Sequence, residues 1–217
     1  MKGNLDADRR VVRRDMGKKK SAKKAKDAVG KVEEVDLAVT KAVAEQSERP
    51  WVRVLGQLSE IGDQPPLRAL TLGAAAFGLV RRDPKLTRAG LRMFAAHTLA
   101  TWVKSAIKRQ IDRTRPDVAL EDRYRMERGD SREHDLSSFP SGHTAGTLAV
   151  TQALARDYPE TRAAGLAFTA AIAAIQVPRC KHYISDVAAG ALIGWAAEKV
   201  SSPLLDWAEE KLATSGS

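Results

Sequence analysis

Apolar segments separated by charged or proline-containing stretches recur along residues 32–213 and predict a chain of helices. Shorter stretches with apolar residues at helical spacing lie at 32–48 and 51–61, and an amphipathic segment with Leu204 and Trp207 follows near the C-terminus. No alternation of polar and apolar residues is long enough for a strand. The pattern predicts an all-α bundle of about five core helices with amphipathic N- and C-terminal helices. The five core segments are 66–82, 89–108, 138–156, 162–178 and 184–200.

Positive charge is concentrated at the N-terminus. The formal net charge is +9 over 217 residues, but residues 1–26 hold eleven Lys or Arg against three Asp. Such a segment has too few apolar side chains to bury a core. We therefore expect a disordered basic tail at 1–31 and a helical domain at 32–213.

The amino-acid composition argues against several kinds of structural and binding site. The one cysteine, Cys180, excludes an intramolecular disulfide and a cysteine-based zinc cluster. The aromatic content of 5% argues against a stacking platform for single-stranded nucleic acid. Hydropathy alone leaves membrane insertion undecided, because a spanning helix needs about 20 largely apolar residues and each core segment is only marginally suitable.

Two cations flank the end of the segment 89–108. Lys108 closes the predicted helix, and Arg115 precedes Pro116, where the backbone is pushed out of the helical region. Together they could clamp an oxyanion, with Arg115 making paired hydrogen bonds. A basic helix end that interacts with its own dipole is the alternative reading.

A second cluster, Pro140-Ser141-Gly142-His143, opens the segment 138–156. Pro140 and Ser141 are typical of a helix start, where free backbone N–H groups favour an anion. Gly142 allows a ligand to approach the backbone closely, and His143 would point toward it from the first turn. An ordinary N-cap followed by an incidental histidine has the same sequence.

A third cluster follows the segment 162–178. His182 lies four residues before Asp186, so the carboxylate can accept a hydrogen bond from one imidazole nitrogen and leave the other free as a nucleophile. A surface histidine beside a helix-capping aspartate is the alternative.

Antiparallel packing of successive helices would bring the three clusters to one end of the bundle. The end of 89–108, the start of 138–156 and the connection 178–186 then meet. Two histidines, two cations and a helix N-terminus around one point form an oxyanion site suited to phosphoryl transfer.

The three clusters together resemble the signature of the type 2 phosphatidic acid phosphatase superfamily, which includes bacterial class A acid phosphatases and vanadium haloperoxidases. Its first part (Lys, six residues, Arg-Pro) and its second (Pro-Ser-Gly-His) match here in full and in order. Its third part (Ser-Arg, five residues, His, three residues, Asp) matches at His182 and Asp186. The resemblance covers residues 35–200, and the segment 58–63 looks like the family's membrane members.

The third part departs from the family pattern at its first two positions, where Ile175 and Gln176 stand in place of Ser-Arg. The family arginine contacts the phosphate, whereas glutamine brings no charge, so we expect weaker stabilisation of the transition state. Arg179, three residues later, is the candidate substitute.

The resemblance implies a phosphatase that needs no metal and no other cofactor. His182 would attack the phosphorus and form a phosphohistidine, and Asp186 would orient it and balance its charge. His143 would protonate the leaving oxygen and then activate water. The residues expected to hold the phosphate are Lys108, Arg115, Ser141, Gly142, Gln176 and Arg179.

The membrane members of the family imply a lipid phosphate or diphosphate substrate, of the polyprenyl diphosphate or phosphatidate class. They also imply a multi-pass protein of a bacterial inner membrane. We expect the basic tail to bind anionic lipid rather than a specific nucleic acid. Two alternatives stay open: a soluble or peripheral acid phosphatase of small phosphomonoesters, and a catalytically weakened membrane protein that binds anions or lipids.

Overall fold

The chain forms two units, which meet between Val39 and Thr40. The computed structural model describes residues 23–24, 26–131 and 133–215. In the first unit, residues 26–39 are helical, including 26–31, which the sequence analysis places in the disordered tail. The rest of that tail, apart from residues 23–24, lies outside the described residues.

The second unit consists mainly of helices, and the prediction of an all-α fold is confirmed. Its helices are α1 (Pro50–Ser59), α2 (Gln64–Arg81), α3 (Pro84–Lys108), α4 (Pro116–Glu121), α5 (Gly142–Asp157), α6 (Arg162–Ile175) and α7 (Ile184–Ser215). Single 3-10 turns occupy Ala44–Gln46, Glu60–Gly62, His134–Leu136 and Pro159–Thr161. Two short strands, β1 (Asp112–Arg113) and β2 (Met126–Glu127), pair antiparallel within the charged loop.

Local sequence signals explain where the long helices begin. Proline occupies the first turn of α1, α2 and α3, where its missing N–H costs nothing. The side chain of Asp83 caps α3 by accepting a hydrogen bond from Leu86 N at 3.0 Å. Ser141 caps α5 in the same way, through Thr144 N at 3.5 Å. The prolines and caps thus fix where α1, α2, α3 and α5 begin, and the start of α5 carries the second cluster.

The core lies between α2, α3, α5 and α7, and most of its members are small. Its buried residues are Leu67, Met93, Ala96, Ala100, Ala149, Val150, Ala153 and Ala197. Alanine at these positions lets the helix axes approach closely. The contact that matters for the site is at Gly190 of α7, where an added Cβ would lie 2.5 Å from the carbonyl oxygen of Ser141. This glycine allows α7 to pack directly against the start of α5.

Arg92 is a charge within the apolar part of α3, and it is neutralised inside the bundle. Its Nε donates to Asp157 Oδ2 at 2.9 Å, and its Nη2 donates to Asp206 Oδ1 at 2.6 Å. Asp157 ends α5 and Asp206 belongs to α7, so one guanidinium ties three helices together.

Large apolar side chains remain exposed on the outer surface of the helices. Examples are Phe77 and Val80 of α2, Trp102 of α3, and Leu192 and Trp195 of α7. In the part of the chain that the structure describes, no helix combines the length and the apolar character needed to cross a membrane.

Candidate active site

The three sequence clusters meet at one end of the bundle around a cavity of about 280 Å³. The C-terminal end of α3, the first turn of α5 and the connection between α6 and α7 supply most of its wall. The turn before α2 and the segment between α3 and α5 supply the rest. The lining residues are Glu60, Asp63, Lys104, Lys108, Arg115, His134, Gly142, His143, Gln176, Arg179, Lys181 and His182. Alternation of helix direction produces this convergence.

His182 is held so that one ring nitrogen is occupied and the other is available to a ligand. Its side chain is 5% exposed. Nδ1 lies 2.8 Å from the carbonyl oxygen of Ser138 and 3.7 Å from Asp186 Oδ2, so the carbonyl is the closer partner. Because a carbonyl only accepts, this contact assigns the proton to Nδ1 and leaves the lone pair on Nε2.

The charge state of His182 suits a nucleophile. Burial lowers the pKa of His182 to about 4, although Asp186 opposes the shift; Lys108 and Arg115 lower it further. The imidazole is therefore neutral at physiological pH.

Asp186 is fully buried and its carboxylate is saturated with donors. Arg113 Nη1 donates to Oδ1 at 2.6 Å, and Tyr183 N donates to Oδ2 at 2.9 Å. The hydroxyl of Ser138 also donates to Oδ2. Burial raises the pKa of Asp186, but the nearby ring of His182 and the charge of Arg113 outweigh burial and hold it below its usual range. Asp186 thus stays ionised and fixes Ser138, whose carbonyl orients His182.

Arg113, the buried partner of Asp186, is a residue that sequence reasoning missed. Its Nη1 also donates to Ser185 Oγ at 2.7 Å, and its guanidinium lies 4.1 Å from the ring centroid of Tyr183. The segment 108–115 contains several basic residues, and no spacing rule separates this one from its neighbours. Its inward position depends on tertiary pairing, since β1 pairs with β2 and the carbonyl of Arg113 accepts from Ser138 N at 3.2 Å.

Lys108 and Arg115 are aimed at the cavity by the turn at 134–137. Lys108 Nζ donates to the carbonyl of Ser137. Arg115 Nε donates to the carbonyl of His134 at 2.9 Å, and its Nη2 donates to Ser137 Oγ at 3.3 Å. Burial lowers the pKa of Lys108 to about 8, with further lowering by Arg115 and Lys104. Two cations held close together in this way favour an anion between them.

Ser141 lies behind the cavity wall, although the resemblance implies that it contacts the phosphate. It is fully buried and does not line the cavity. Its Oγ lies 3.1 Å from Thr144 Oγ1, and its N–H donates to the carbonyl of Asp186 at 3.0 Å. The structure therefore gives Ser141 a capping role, while Gly142 beside it does reach the cavity wall.

His143 lines the same cavity as His182, beside the turn that carries Glu60. Its Nε2 lies 3.6 Å from Glu60 Oε2. Burial lowers the pKa of His143, while the carboxylates of Asp63 and Glu60 oppose this shift. An imidazole with adjacent carboxylates can hold a proton and pass it on.

Gln176 and Arg179 share one anchor, Ser59 at the end of α1. Gln176 is fully buried, and its Nε2 donates to Ser59 Oγ and to the carbonyl of Ile172, both at 3.2 Å. Arg179 Nη1 donates to the same Ser59 Oγ at 2.8 Å, and its Nη2 donates to Glu60 Oε1 at 2.7 Å. A guanidinium thus lies on the cavity wall beside the glutamine.

Several further lining residues lie outside the predicted set. Lys104 is one turn before Lys108 on α3, and its Nζ is 3.4 Å from Gln64 Oε1. Glu60 and Asp63 come from the segment 58–63. Lys181 pairs with Asp117 at 2.6 Å. The helical spacing of Lys104 from Lys108 was the available signal, because residues four apart share a helix face.

Comparison with known proteins connects this site with a family. The family model described as the PAP2 superfamily matches residues 89–209. A transmembrane PAP2 type phosphatidylglycerolphosphate phosphatase from Bacillus subtilis has a similar structure, with a TM-score of 0.55 and 20% identity over 83% of this chain and 87% of that one. LpxE from Aquifex aeolicus gives a TM-score of 0.55 and 20% identity over 76% of this chain and 93% of that one. The two structures show a shared fold, and none of the curated proteins compared with the chain matches it significantly.

Proposed function

Since the chain belongs to the PAP2 superfamily, we propose that it is a metal-independent phosphatase that hydrolyses a lipid phosphate or diphosphate through a phosphohistidine. One observation carries the proposal. A buried neutral imidazole, His182, has Nδ1 held by Ser138 and lies on a cavity wall that also presents Lys108 and Arg115.

The first step transfers the phosphoryl group to the enzyme. The lone pair of His182 Nε2 attacks phosphorus, and the ester P–O bond breaks as the N–P bond forms. The protonated ring of His143 gives its proton to the leaving oxygen. Lys108, Arg115 and the N–H of Gly142 stabilise the phosphoryl oxygens, in the role that a metal ion has in other phosphatases.

The second step releases phosphate and restores the enzyme. His143, now neutral, takes a proton from water while the water oxygen attacks the phosphohistidine. The N–P bond breaks and its electron pair returns to His182 Nε2. Asp186 balances the positive charge that the His182 ring carries between the two steps, and Arg113 keeps this carboxylate ionised.

Arg179 takes the phosphate-binding role of the arginine that the family has at position 176. Its guanidinium lies on the cavity wall and is steadied by Ser59 and Glu60. In the loaded enzyme, phosphate competes with Glu60 for its N–H groups. The amide of Gln176 supports this arrangement through Ser59.

The exposed apolar surface supports a lipid substrate at a membrane. Aromatic and aliphatic side chains such as Trp102, Trp195 and Leu192 stay uncovered on the bundle. We place the enzyme at a bacterial inner membrane. The basic tail, of which residues 1–22 and 25 lie outside the described residues, would add attraction to anionic lipid.

Phosphate release from a panel of lipid phosphates and diphosphates by detergent-purified protein, with excess chelator, tests the proposal. We expect release in the presence of chelator and a loss of more than about 1,000-fold in His182→Ala. Labelled substrate should leave acid-labile, base-stable label on the wild-type protein. Release that needs metal, or that survives His182→Ala, would contradict the mechanism.

Arg179 is tested separately against a matched surface arginine. Arg179→Ala should lower kcat/KM about 100-fold, as for the loss of one transition-state donor. Arg125→Ala should change it less than two-fold, because Arg125 is half exposed and pairs with Glu127 rather than with a residue of the cavity wall. Equal effects would exclude a phosphate-binding role for Arg179. Phosphate binding without turnover by the wild type would instead favour the weakened, anion-binding alternative, which the uncharged Gln176 motivates.

A further inference from the structure

The cavity has two halves with different charge. The nucleophile half contains His182 with Lys108 and Arg115, the two cations that lower its pKa. The acid half contains His143 with Glu60, Asp63 and Lys104, and Arg179 lies between the two halves, since its charge acts on both His143 and Arg115. The carboxylates of the acid half act directly on His143, since Glu60 lies 3.6 Å from its Nε2. In the proposed mechanism the transferred phosphoryl group occupies the nucleophile half, and the leaving group occupies the acid half.

In the substrate-loaded enzyme Arg179 turns to the phosphate, so the carboxylates Glu60 and Asp63 balance the protonated His143 and Lys104. In the free protein Glu60 is paired with Arg179 at 2.7 Å. Burial lowers the pKa of Lys104, and Asp63 is the carboxylate that opposes this shift. The acid half is therefore close to neutral.

The nucleophile half keeps its positive charge. Among the residues that the structure describes, no carboxylate lies within ion-pair distance of Lys108 or Arg115. Lys181, at the rim, is neutralised by Asp117. Within the described part of the chain, the nucleophile half thus presents two cations without an ion-pair partner, a number that matches one phosphate monoester at about −1.5 to −2. The charges of Asp117, Asp135 and Asp186 act on Arg115 from beyond ion-pair distance.

We infer that the cavity selects phosphate monoesters of an uncharged alcohol, and that Asp63 and Glu60 are specificity-determining residues that disfavour diphosphates. This inference rests on the proposed function and narrows its substrate class. A diphosphate would place a second anionic phosphate in the acid half, beside two carboxylates and with no spare cation. Like charges brought together in a partly buried site reduce affinity.

The presence of a general acid in the cavity also favours a phosphate monoester over a diphosphate. An alkoxide is a poor leaving group and needs a proton as the P–O bond breaks, whereas a departing phosphate needs none. Burial lowers the pKa of His143, and Asp63 and Glu60 oppose that shift, so the proton is held more readily than it would be without them. The two carboxylates therefore help an alcohol to leave and hinder a charged group.

The test compares farnesyl phosphate with farnesyl diphosphate, which share one chain and differ by one phosphate. The measured quantity is the ratio of their kcat/KM values, monophosphate over diphosphate, in wild type, Asp63→Asn and Glu60→Gln. Comparing the ratio between proteins cancels the intrinsic reactivity of the two esters. Glu160→Gln, an exposed residue in the turn between α5 and α6, is the charge-matched control.

We expect the wild type to prefer the monophosphate and each cavity variant to lower the ratio about 10-fold, the effect of removing one like-charge contact. The ratio in Glu160→Gln should equal that of the wild type. A wild type that prefers the diphosphate, or ratios unchanged in both cavity variants, would overturn the inference.

A binding measurement separates this inference from the proposed function. Calorimetric titration with methylphosphonate and methylenediphosphonate needs no turnover. A wild type that releases no phosphate from either ester would contradict the proposed activity, but it should still bind the monophosphonate more tightly. Tighter binding of the diphosphonate by wild type would overturn the selection whatever the activity.

Discussion

Replacing Arg113 by methionine tests how the site keeps its buried aspartate ionised. The Arg113–Asp186 pair joins Nη1 to Oδ1 at 2.6 Å, and the two side chains are 1% and 0% exposed. Methionine preserves an unbranched apolar chain but removes the charge. Of the donors described above, those from Ser138 and Tyr183 would remain, and both are neutral.

The cost follows from the burial of the pair. Removing one partner of a buried ion pair costs about 3–5 kcal/mol, because the other charge is left uncompensated in a medium of low polarity. In a chain of this length each kcal/mol shifts Tm by about 2–4 °C, so we expect a decrease of about 6–20 °C. The loss of the contacts with Ser185 and Tyr183 acts in the same direction.

Thermal unfolding of the detergent-purified variants measures this effect. Arg125→Met is the matched control, because Arg125 pairs with Glu127 at 3.2 Å while both side chains are about half exposed. An exposed pair contributes less than about 1 kcal/mol. If both substitutions lowered Tm equally, burial would not be the source of the effect and the reasoning would fail.

The pH dependence supplies a second check on the same variant. The pKa of Asp186 is held low in the fold, so its contribution to stability is present above the unfolded value of about 3.9 and is lost as pH falls through the folded value. The Tm difference between wild type and Arg113→Met should therefore shrink below about pH 4.

Three further predictions concern the pH profile, anion binding and packing. As pH rises through about 4, kcat/KM should increase because His182 loses its proton and becomes a nucleophile. It should then decrease at a pH below 6.5, because His143, whose pKa is lowered, loses the proton that it gives to the leaving oxygen. A pH optimum above 7 would contradict these roles. Inhibition by sulfate, a dianion throughout, should weaken as pH rises through about 8 because Lys108 loses its charge; constant inhibition constants would contradict this. Gly90→Ala would place a Cβ 2.3 Å from a backbone nitrogen of α2 and should cost at least about 1–3 kcal/mol. Gly73→Ala, with nothing within 4 Å, should gain about 0.5–1 kcal/mol; equal shifts in thermal unfolding would refute the packing argument.

The helical architecture was predictable because its signals are local. Charge-poor segments interrupted by prolines correspond to α2, α3, α5, α6 and α7, and alternation of helix direction then carries Lys108, His143 and His182 to one end. The motifs around these residues also predict that the chain belongs to the PAP2 superfamily, and the family match confirms this prediction. The individual roles assigned to the site residues stay predictions.

Long-range pairings were not predictable in the same way. Arg113 and Asp186 are 73 residues apart, and their contact depends on how the charged loop between α3 and α5 folds. That loop contains many acids and bases, so sequence gives no reason to prefer one pair. Ser141 illustrates the opposite case, since its capping contact with Thr144 is local and competes with a role in binding phosphate.

The departure at Gln176 is understandable only with residues that precede the family-matched region. That region begins at residue 89, whereas Ser59 ends α1 and Glu60 and Asp63 come from the turn between α1 and α2. Gly56 makes room there, because an added Cβ would lie 2.7 Å from Arg179 Nε. An arginine at 176 would place a second guanidinium beside Arg179, with Glu60 already engaged. The turn therefore supports an arginine at 179 in place of one at 176, and the same turn contributes the carboxylates that we propose set the substrate class.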